Sequence, residues 1–340
     1  MHAGRTIPWP FHFLQHPVAI RQPNHVEVQR LSSLSSRSRR CEGMDSGEIG
    51  PMVAVAGAAG DLGFRIVKAL IAKGASVRAL VRRPVDKLAL GRVEQVAVNF
   101  DDGVALTGAL IGATSVVSAL NGTAPVILGA QGRLLDAAVA ARVPHFVPSD
   151  FSLDYLTTRP GDNRNMDLRR TFAARVDAAP IRATSILNGP FADLLESEAP
   201  IVLHKLRRVL YWGDADQLFD FTTKDDVAAF TADVAMDARA PRYLRIAGDQ
   251  ISPRGLAALL TEMDDRPWKL LRAGGIGRLS GVIAIVRALT PNTDAPFPVW
   301  QGMQYLRDMS TGRGKLHDLD NGRYGRTDWT RAADVLAPTL

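Results

Sequence analysis

From residue 51 onward, short apolar runs alternate with segments whose apolar residues recur every three or four positions. Met52–Ala56 predicts a buried strand, since an unbroken apolar run of that length suits a strand covered on both faces. Residues 61–73 place Leu62, Ile66, Ala69 and Leu70 on one side, the spacing of an amphipathic helix. Further strands are expected over 76–82, 94–98, 115–120, 145–148 and 183–188. Helices are expected over 102–111, 126–141 and 167–178. Alternation at these lengths predicts an α/β fold, a doubly wound parallel sheet with helices on both faces. Beyond Gly189 the pattern becomes irregular. Residues 211–221 predict strand and turn, 225–236 a helix capped by Thr223, and 242–247 a late strand returning to the main sheet. Residues 252–340 predict helices joined by loops rich in Pro and Gly.

Between the first strand and the first helix stands Gly-Ala-Ala-Gly-Asp-Leu-Gly, with glycines at 57, 60 and 63. Glycine permits turns and close approaches that a Cβ blocks. The N–H groups opening the helix, with its dipole, then form a site for an anion such as a dinucleotide pyrophosphate. The candidate cradle is Gly57, Ala59, Gly60, Asp61, Leu62 and Gly63. A tight strand–helix turn without ligand accounts for the same spacing, which is Gly-x-x-Gly-x-x-Gly and not the commoner Gly-x-Gly-x-x-Gly.

In NAD-binding sheets of this kind, an acidic residue usually ends the second strand and bonds the ribose 2′-hydroxyl. Here Arg82 and Arg83 stand at that place, Lys87 follows, and no acid occurs before Asp86. A carboxylate repels a 2′-phosphate, whereas a guanidinium binds it through paired charged hydrogen bonds. The expected cofactor is therefore NADP(H). Solvated arginines at a strand end are the alternative. Asp101 and Asp102 read as adenine-side residues or as a helix cap. Asn121, after the fourth strand, reads as a nicotinamide-side loop residue or as half of an Asn-Gly turn. The expected organisation is a Rossmann-type NADP-binding domain over 51–188 and 220–250. A smaller, interleaved substrate lobe is expected over 189–219 and 251–340.

Charge changes the picture only at the N-terminus. The 340-residue chain carries a net +6, which invites a nucleic-acid reading. Residues 1–43 account for most of it, with six Arg, no Lys and two Glu. The remainder is nearly neutral, so no nucleic-acid partner is expected. The 1–43 segment reads as a disordered basic extension. A transit segment, a nucleic-acid arm and an upstream start with Met44 as the true start compete, and the last is the reading adopted. The single cysteine, Cys41, leaves no internal disulfide or cysteine nucleophile and suits a cytoplasmic protein. No histidine pair has metal-ligand spacing, and no metal is expected. Residues 279–289 are too short to span a membrane and contain Arg287.

Several motifs then coincide in order: GAAGDLG (57–63), VRALVRRP (77–84), VVSALNG (116–122), RLLDAAVAARVPHFVPSDFS (133–152), TSILNGPFADLL (184–195) and TTKDDVAAFTA (222–232). Together they resemble the NmrA-like and isoflavone-reductase-like group of atypical short-chain dehydrogenases, over about residues 50–250. The resemblance implies NADP(H) at 57–63 and Arg82, and a small-molecule cleft near 148–155 and 188–191. It implies reduction of aromatic, quinone-like or enone-like compounds, or, for NmrA-type members, redox sensing by dinucleotide binding. The chain departs from the group where the plant reductases carry a proton-transferring lysine, because that place is Arg169. Nor is there a Tyr-x-x-x-Lys pair; Tyr155 and Arg159 are the nearest match.

Arginine does not normally release its proton, so Arg169 can serve only as an electrostatic clamp on an oxyanion, or else as a solvated helix residue. Tyr155 is the candidate acid, with a packed aromatic as its alternative. Asp150 reads as a substrate or ribose ligand, or as a turn residue. Ser149 reads as a cofactor-side hydroxyl or proton relay. The expected function is an NADPH-dependent reductase, monomeric or homodimeric. A non-catalytic NADP(H)-sensing regulator is the alternative, and a cofactor-recycling epimerase or dehydratase ranks behind both.

Overall fold

The computed structural model describes residues 50–196, 201–290 and 295–339. The 1–43 extension read from the sequence lies outside these. The first half of the described chain runs β1 (Met52–Ala56), α1 (Asp61–Ala72), β2 (Ser76–Val81), β3 (Val93–Ala97), α2 (Gly103–Leu110), β4 (Ser115–Ser118), α3 (Gln131–Ala140), β5 (His145–Val147), α4 (Arg164–Ala178) and β6 (Arg182–Ala183). A π-helical stretch, Pro125–Ala130, leads into α3. These six strands form a parallel sheet in the order β3-β2-β1-β4-β5-β6.

The central position of β1 explains its composition. Val53 pairs with Val77 on one side and Ser115 on the other, and Val53 to Ala56 are fully buried. Val53 and Val55 face a cluster with Ile66 and Leu70 of α1. Ala54 and Ala56 face Leu106 of α2, Leu134 of α3 and Phe172 of α4. A strand covered on both faces has no position for a polar side chain.

The second half runs β7 (Ser185–Leu187), β8 (Val202–Leu203), β9 (Arg208–Trp212), β10 (Phe219–Phe221), α5 (Lys224–Met236), β11 (Tyr243–Arg245), β12 (Asp249–Ile251), α6 (Pro253–Asp264), β13 (Lys269–Gly274), α7 (Ile276–Leu289), α8 (Val299–Ser310) and α9 (Ala332–Leu336). One expectation is corrected: the strand expected over 183–188 is two. The chain changes partner at Thr184, whose N–H still donates to Phe146 at 3.0 Å, while Ser185 already donates to Arg242 at 2.8 Å. The late strand is found as β11, but it does not return to the main sheet as expected: its partner β7 has already left β5, and the two pair in parallel as a separate two-stranded sheet. Helix α5 packs beside α1, with Val227, Phe230 and Val234 in the same cluster as Ile66 and Leu70. Thr223 caps α5, accepting from the Asp226 N–H as expected.

Residues 201–274 add a three-stranded sheet in the order β13-β9-β8, and an antiparallel pair, β10 with β12. Gly50–Leu340 forms one compact unit. The cluster under the second half draws on both expected lobes, joining Tyr155, Met166 and Leu187 to Phe219, Leu256, Trp268 and Leu306. Among the described residues no helix is long and apolar enough to cross a membrane.

Candidate functional site

Strand order reverses between β1 and β4, the place where open α/β sheets bind ligands beyond the strands' carboxyl ends. The glycine loop leaves β1 there. Gly57 has φ +77°, and a Cβ on it would lie 2.6 Å from the Ala119 carbonyl oxygen at the end of β4. A Cβ on Gly63 would lie 2.1 Å from the Gly57 oxygen. The turn closes through Gly60 N–H donating to that oxygen at 2.8 Å. Gly60 is the N-cap of α1 and supplies no side-chain acceptor, so no side chain caps the first turn, whose Asp61 and Leu62 lie at the surface while Gly63 is buried. Ala59, Gly60 and Asp61 lie at the surface of this loop.

Three cations stand beside it. Lys87 Nζ donates to the Ala59 carbonyl. Arg82 and Arg83 are exposed at the end of β2, without a hydrogen-bonded or ion-paired side-chain partner among the described residues. The Asp61 carboxylate turns away from the first-turn N–H groups. Its Oδ1 pairs with Arg65 and its Oδ2 with Lys224, each at 2.9 Å. Partial burial pushes this carboxyl up, but the hydrogen bonds from Lys224 and Arg65 outweigh it and hold it below the usual range. Of the two ambiguous aspartates, Asp102 caps α2 through Val104 and Ala105 N–H, and Asp101 pairs with Arg133 at 2.7 Å. Asn121 is exposed past β4. Ser149 is buried and spends its hydroxyl on the Leu120 carbonyl at 2.6 Å, which leaves no free proton for a relay.

The residues beyond β5 form a sealed polar cluster. Asp150 is fully buried. Its Oδ2 accepts from Tyr155 Oη at 2.9 Å and from Ser185 Oγ at 2.6 Å, and its Oδ1 is buried without a partner. Burial pushes the Asp150 carboxyl up, against the Ser185 hydrogen bond and the Arg169 charge. Arg242 Nη1 donates to Ser185 Oγ at 2.6 Å, and Arg242 pairs with Asp177 at 2.7 Å. Tyr155 is fully buried, edge-on to Tyr243, and its hydroxyl is raised well above the usual phenol by burial and by the Asp150 charge. The structure therefore corrects the reading of Tyr155 as an accessible acid. It is a packed aromatic whose hydroxyl serves Asp150.

Arg169 is not a solvated helix residue. It is 7% exposed; its Nη1 donates to the Asn165 carbonyl at 3.2 Å and its Nε has no partner. No carboxylate lies within 4.0 Å of it among the described residues, while its charge acts on both Asp150 and Tyr305. Arg170, its neighbour, holds the 155–158 loop through the Tyr155 and Thr158 carbonyls. The structure brings Asp150, Tyr155 and Arg169 together and puts Lys87 on the glycine loop, with Arg82 and Arg83 exposed at the end of β2, the strand beside β1.

Two sets of residues escaped sequence reasoning. Asn163 caps α4, donates to Asp308 at 2.8 Å and accepts from Gln301 at 2.7 Å, so α8 fixes the start of the helix that carries Arg169. Burial pushes the Asp308 carboxyl up to about 6, against the Asn163 hydrogen bond. Beside this junction a cavity of about 490 Å³ is lined by Asp162, Ile283, Arg287, Gln304 and Arg307. The other is Lys224 on the rim of the cradle, signalled only by its place after the Thr222-Thr223 pair. The 188–191 turn reaches Lys224 through Phe191, whose ring centre lies 6.0 Å from the ammonium. A Cβ on Gly189 (φ +66°) would lie 2.2 Å from the Asp220 carbonyl oxygen, and Thr222 Oγ1 donates to the Asn188 carbonyl at 2.7 Å.

Residues 51–267 match the model of the NmrA-like family. The chain belongs to that family. Pinoresinol reductase 1 of Arabidopsis thaliana is 29% identical over 208 residues, which cover 55% of this chain and 65% of that one. The chain thus spans less than two thirds of that curated relative. A solved structure of AtPrR2 with NADP+ and (+)pinoresinol superposes with a TM-score of 0.71 at 21% identity, covering 86% of this chain and all of that one. An isoflavone reductase structure gives 0.70 at 17% identity, with 86% and 100% covered. A ternary complex of leucoanthocyanidin reductase from Vitis vinifera gives 0.67 at 18% identity, with 84% and 98% covered. At these identities the structural likeness establishes the NmrA-like chain's fold.

Proposed function

We propose that this chain binds NADP(H) and reduces a small aromatic, quinone-like or enone-like compound. The observation that carries the reading is the group of exposed cations, Arg82, Arg83 and Lys87, beside a glycine cradle whose first helical turn no side chain caps. A 2′-phosphate fits that charge, and a diphosphate fits the start of α1. AtPrR2 solved with NADP+ and (+)pinoresinol, and leucoanthocyanidin reductase solved with NADPH, support the same assignment.

The bound cofactor supplies the hydride, and the chain's own residues manage charge. Arg169 stabilises negative charge developing on a substrate oxygen; a buried guanidinium without a carboxylate partner suits that role. Asp150, with an unpartnered Oδ1 and a carboxyl pushed toward its protonated form, is the group of the cluster able to hold a proton. Two observations favour the second reading, a dinucleotide-sensing regulator. Tyr155 is sealed in the core, and an arginine fills the lysine place.

Calorimetric titration with NADPH, NADP+, NADH and NAD+, repeated with Arg82→Ala, tests the cofactor assignment. The phosphorylated forms are expected to bind more tightly by about 1.5–3 kcal/mol, the range for hydrogen bonds to charged groups, and the variant to lose most of that margin. Equal binding of all four refutes the 2′-phosphate site. NADPH consumption with a member of a carbonyl, enone and quinone panel supports the reductase. Tighter binding of NADP+ without turnover supports the sensor.

A further inference from the structure

Asp61 is an awkward residue for an anion cradle. It is the first residue of α1, beside the N–H groups that would hold a diphosphate. A helix N-terminus carries only about half a positive charge, so an uncompensated carboxylate there reverses the local sign. Each Asp61 oxygen is instead covered by a cation, Oδ1 by Arg65 and Oδ2 by Lys224. The two cations are not equivalent. Arg65 is shared with a second carboxylate, Asp225, at 2.6 Å. The nearest carboxylate to Lys224 is Asp61 itself, with Asp193 farther off at 3.8 Å.

Lys224 also joins three segments. It opens α5, it contacts the loop of α1, and its ammonium lies 6.0 Å from the centre of the Phe191 ring in the 188–191 turn. Asp193, just past that turn, has a buried Oδ2 without a hydrogen bond, and Lys224 is its cation within 4.0 Å among the described residues. Burial would lower the Lys224 ammonium, but the contacts with Asp61 and Asp193 outweigh it and keep it firmly charged.

We infer that Lys224 is a cofactor-site residue, the cation that neutralises Asp61 within the diphosphate cradle and ties the 188–191 turn to it. The inference rests on the dinucleotide reading and adds a residue to that site. Its signature is a coupling: the harm done by removing Lys224 is relieved by removing the Asp61 charge.

The test is a double-mutant cycle on the full chain, read as NADPH affinity by calorimetry, with the melting midpoint of the free protein as a check on folding. Lys224→Met is expected to weaken NADPH binding about 10-fold or more, and Lys224→Arg to stay within about threefold of wild type, because it keeps the charge. Asp61→Asn is expected to restore most of the loss when it is introduced into the Lys224→Met background. Wild-type affinity in Lys224→Met overturns the inference. So does an Asp61→Asn effect of equal size in both backgrounds, and so does a loss in Lys224→Arg as deep as in Lys224→Met. Wild-type protein that binds no dinucleotide overturns the cofactor reading and this inference with it. Binding without coupling overturns the inference alone.

Discussion

At the glycine loop, the groups that would meet a ligand are backbone N–H groups that no side chain caps and exposed cations, already in place with little to move. Around Asp150 the opposite holds. Tyr155, Ser185 and Arg242 close on the carboxyl, and Arg169 keeps only 7% of its surface exposed. The first region is held by backbone sterics, in contacts a single Cβ would destroy. The second is held by side chains from four separate segments: the loop after β5, α4, β7 and Arg242 just before β11. Binding at the first can therefore be tight and pre-formed. Chemistry at the second requires a substrate to enter a buried network and meet the polar atoms it leaves without partners, Asp150 Oδ1 and Arg169 Nε, since an unpaired buried polar group is costly there.

The largest effect that sharpens this contrast is steric. Gly63→Val would drive a Cβ to 2.1 Å from the Gly57 oxygen, whereas on Gly60 the nearest atom would be 3.2 Å away. Gly63→Val is expected to cost about 3 kcal/mol or more of stability and to reduce NADPH affinity by about 100-fold or more. Gly60→Ala should cost less than about 1 kcal/mol, close to an ordinary cap change. Thermal unfolding and NADPH titration read both. If Gly63→Val folds and binds like Gly60→Ala, the loop is not a rigid cradle and the contrast fails.

Next comes Arg169→Met. A buried guanidinium with one hydrogen bond and an unpartnered Nε gives little net stability, and an apolar replacement of similar length is often neutral or better. The melting midpoint is therefore expected to hold or rise, while kcat on the best panel substrate falls about 100-fold, the loss usual for one oxyanion donor. Lower stability with kcat intact would make Arg169 a packing residue and leave the second region without a catalytic group.

The same contrast explains what could be read from the sequence. Steric rules act over a few residues, so the turn at Gly57 and Gly63 and the Thr223 cap were legible, as was β1 from its unbroken apolar run, whereas Asp102 stood open between a cap and an adenine-side residue until the fold showed the cap. The exposed place of Arg82 and Arg83 was legible because it depends only on where β2 ends. The break at Thr184 was not, since the change from β5 to β11 depends on a strand nearly sixty residues later. Nor was the sealing of Tyr155. Its hydroxyl accounts for itself only through Asp150, and Asp150 in turn through Ser185 and Arg242, residues far apart in sequence and met only in the fold. Asn163 and Asp308 are 145 residues apart, and nothing local in either marks the pair.

That pair supplies a further expected effect, seen only as a change with pH, and bears on how firmly the sealed region is held. Asp308 is fully buried, its Oδ2 accepts from Asn163 at 2.8 Å, and its Oδ1 has no hydrogen-bond partner, with Arg307 Nε at 3.8 Å. Its carboxyl, ordinarily near 3.8, is pushed up to about 6 by burial. A raised carboxylate means that the folded state binds the proton more tightly than the unfolded state between those two values. Its contribution to stability is then greatest below pH 3.8, and is lost as pH rises through 6. Asp308→Asn fixes the group in a neutral form. The difference in unfolding free energy, variant minus wild type, should therefore rise between pH 4 and pH 7 by about 1–3 kcal/mol and then level off. Paired denaturant titrations across that range measure it. A flat difference would mean that Asp308 keeps its charge at no cost, by way of Arg307. The junction of α4 with α8 would then be an ion pair, and the region carrying Arg169 would be held by charge, as the cradle rim is.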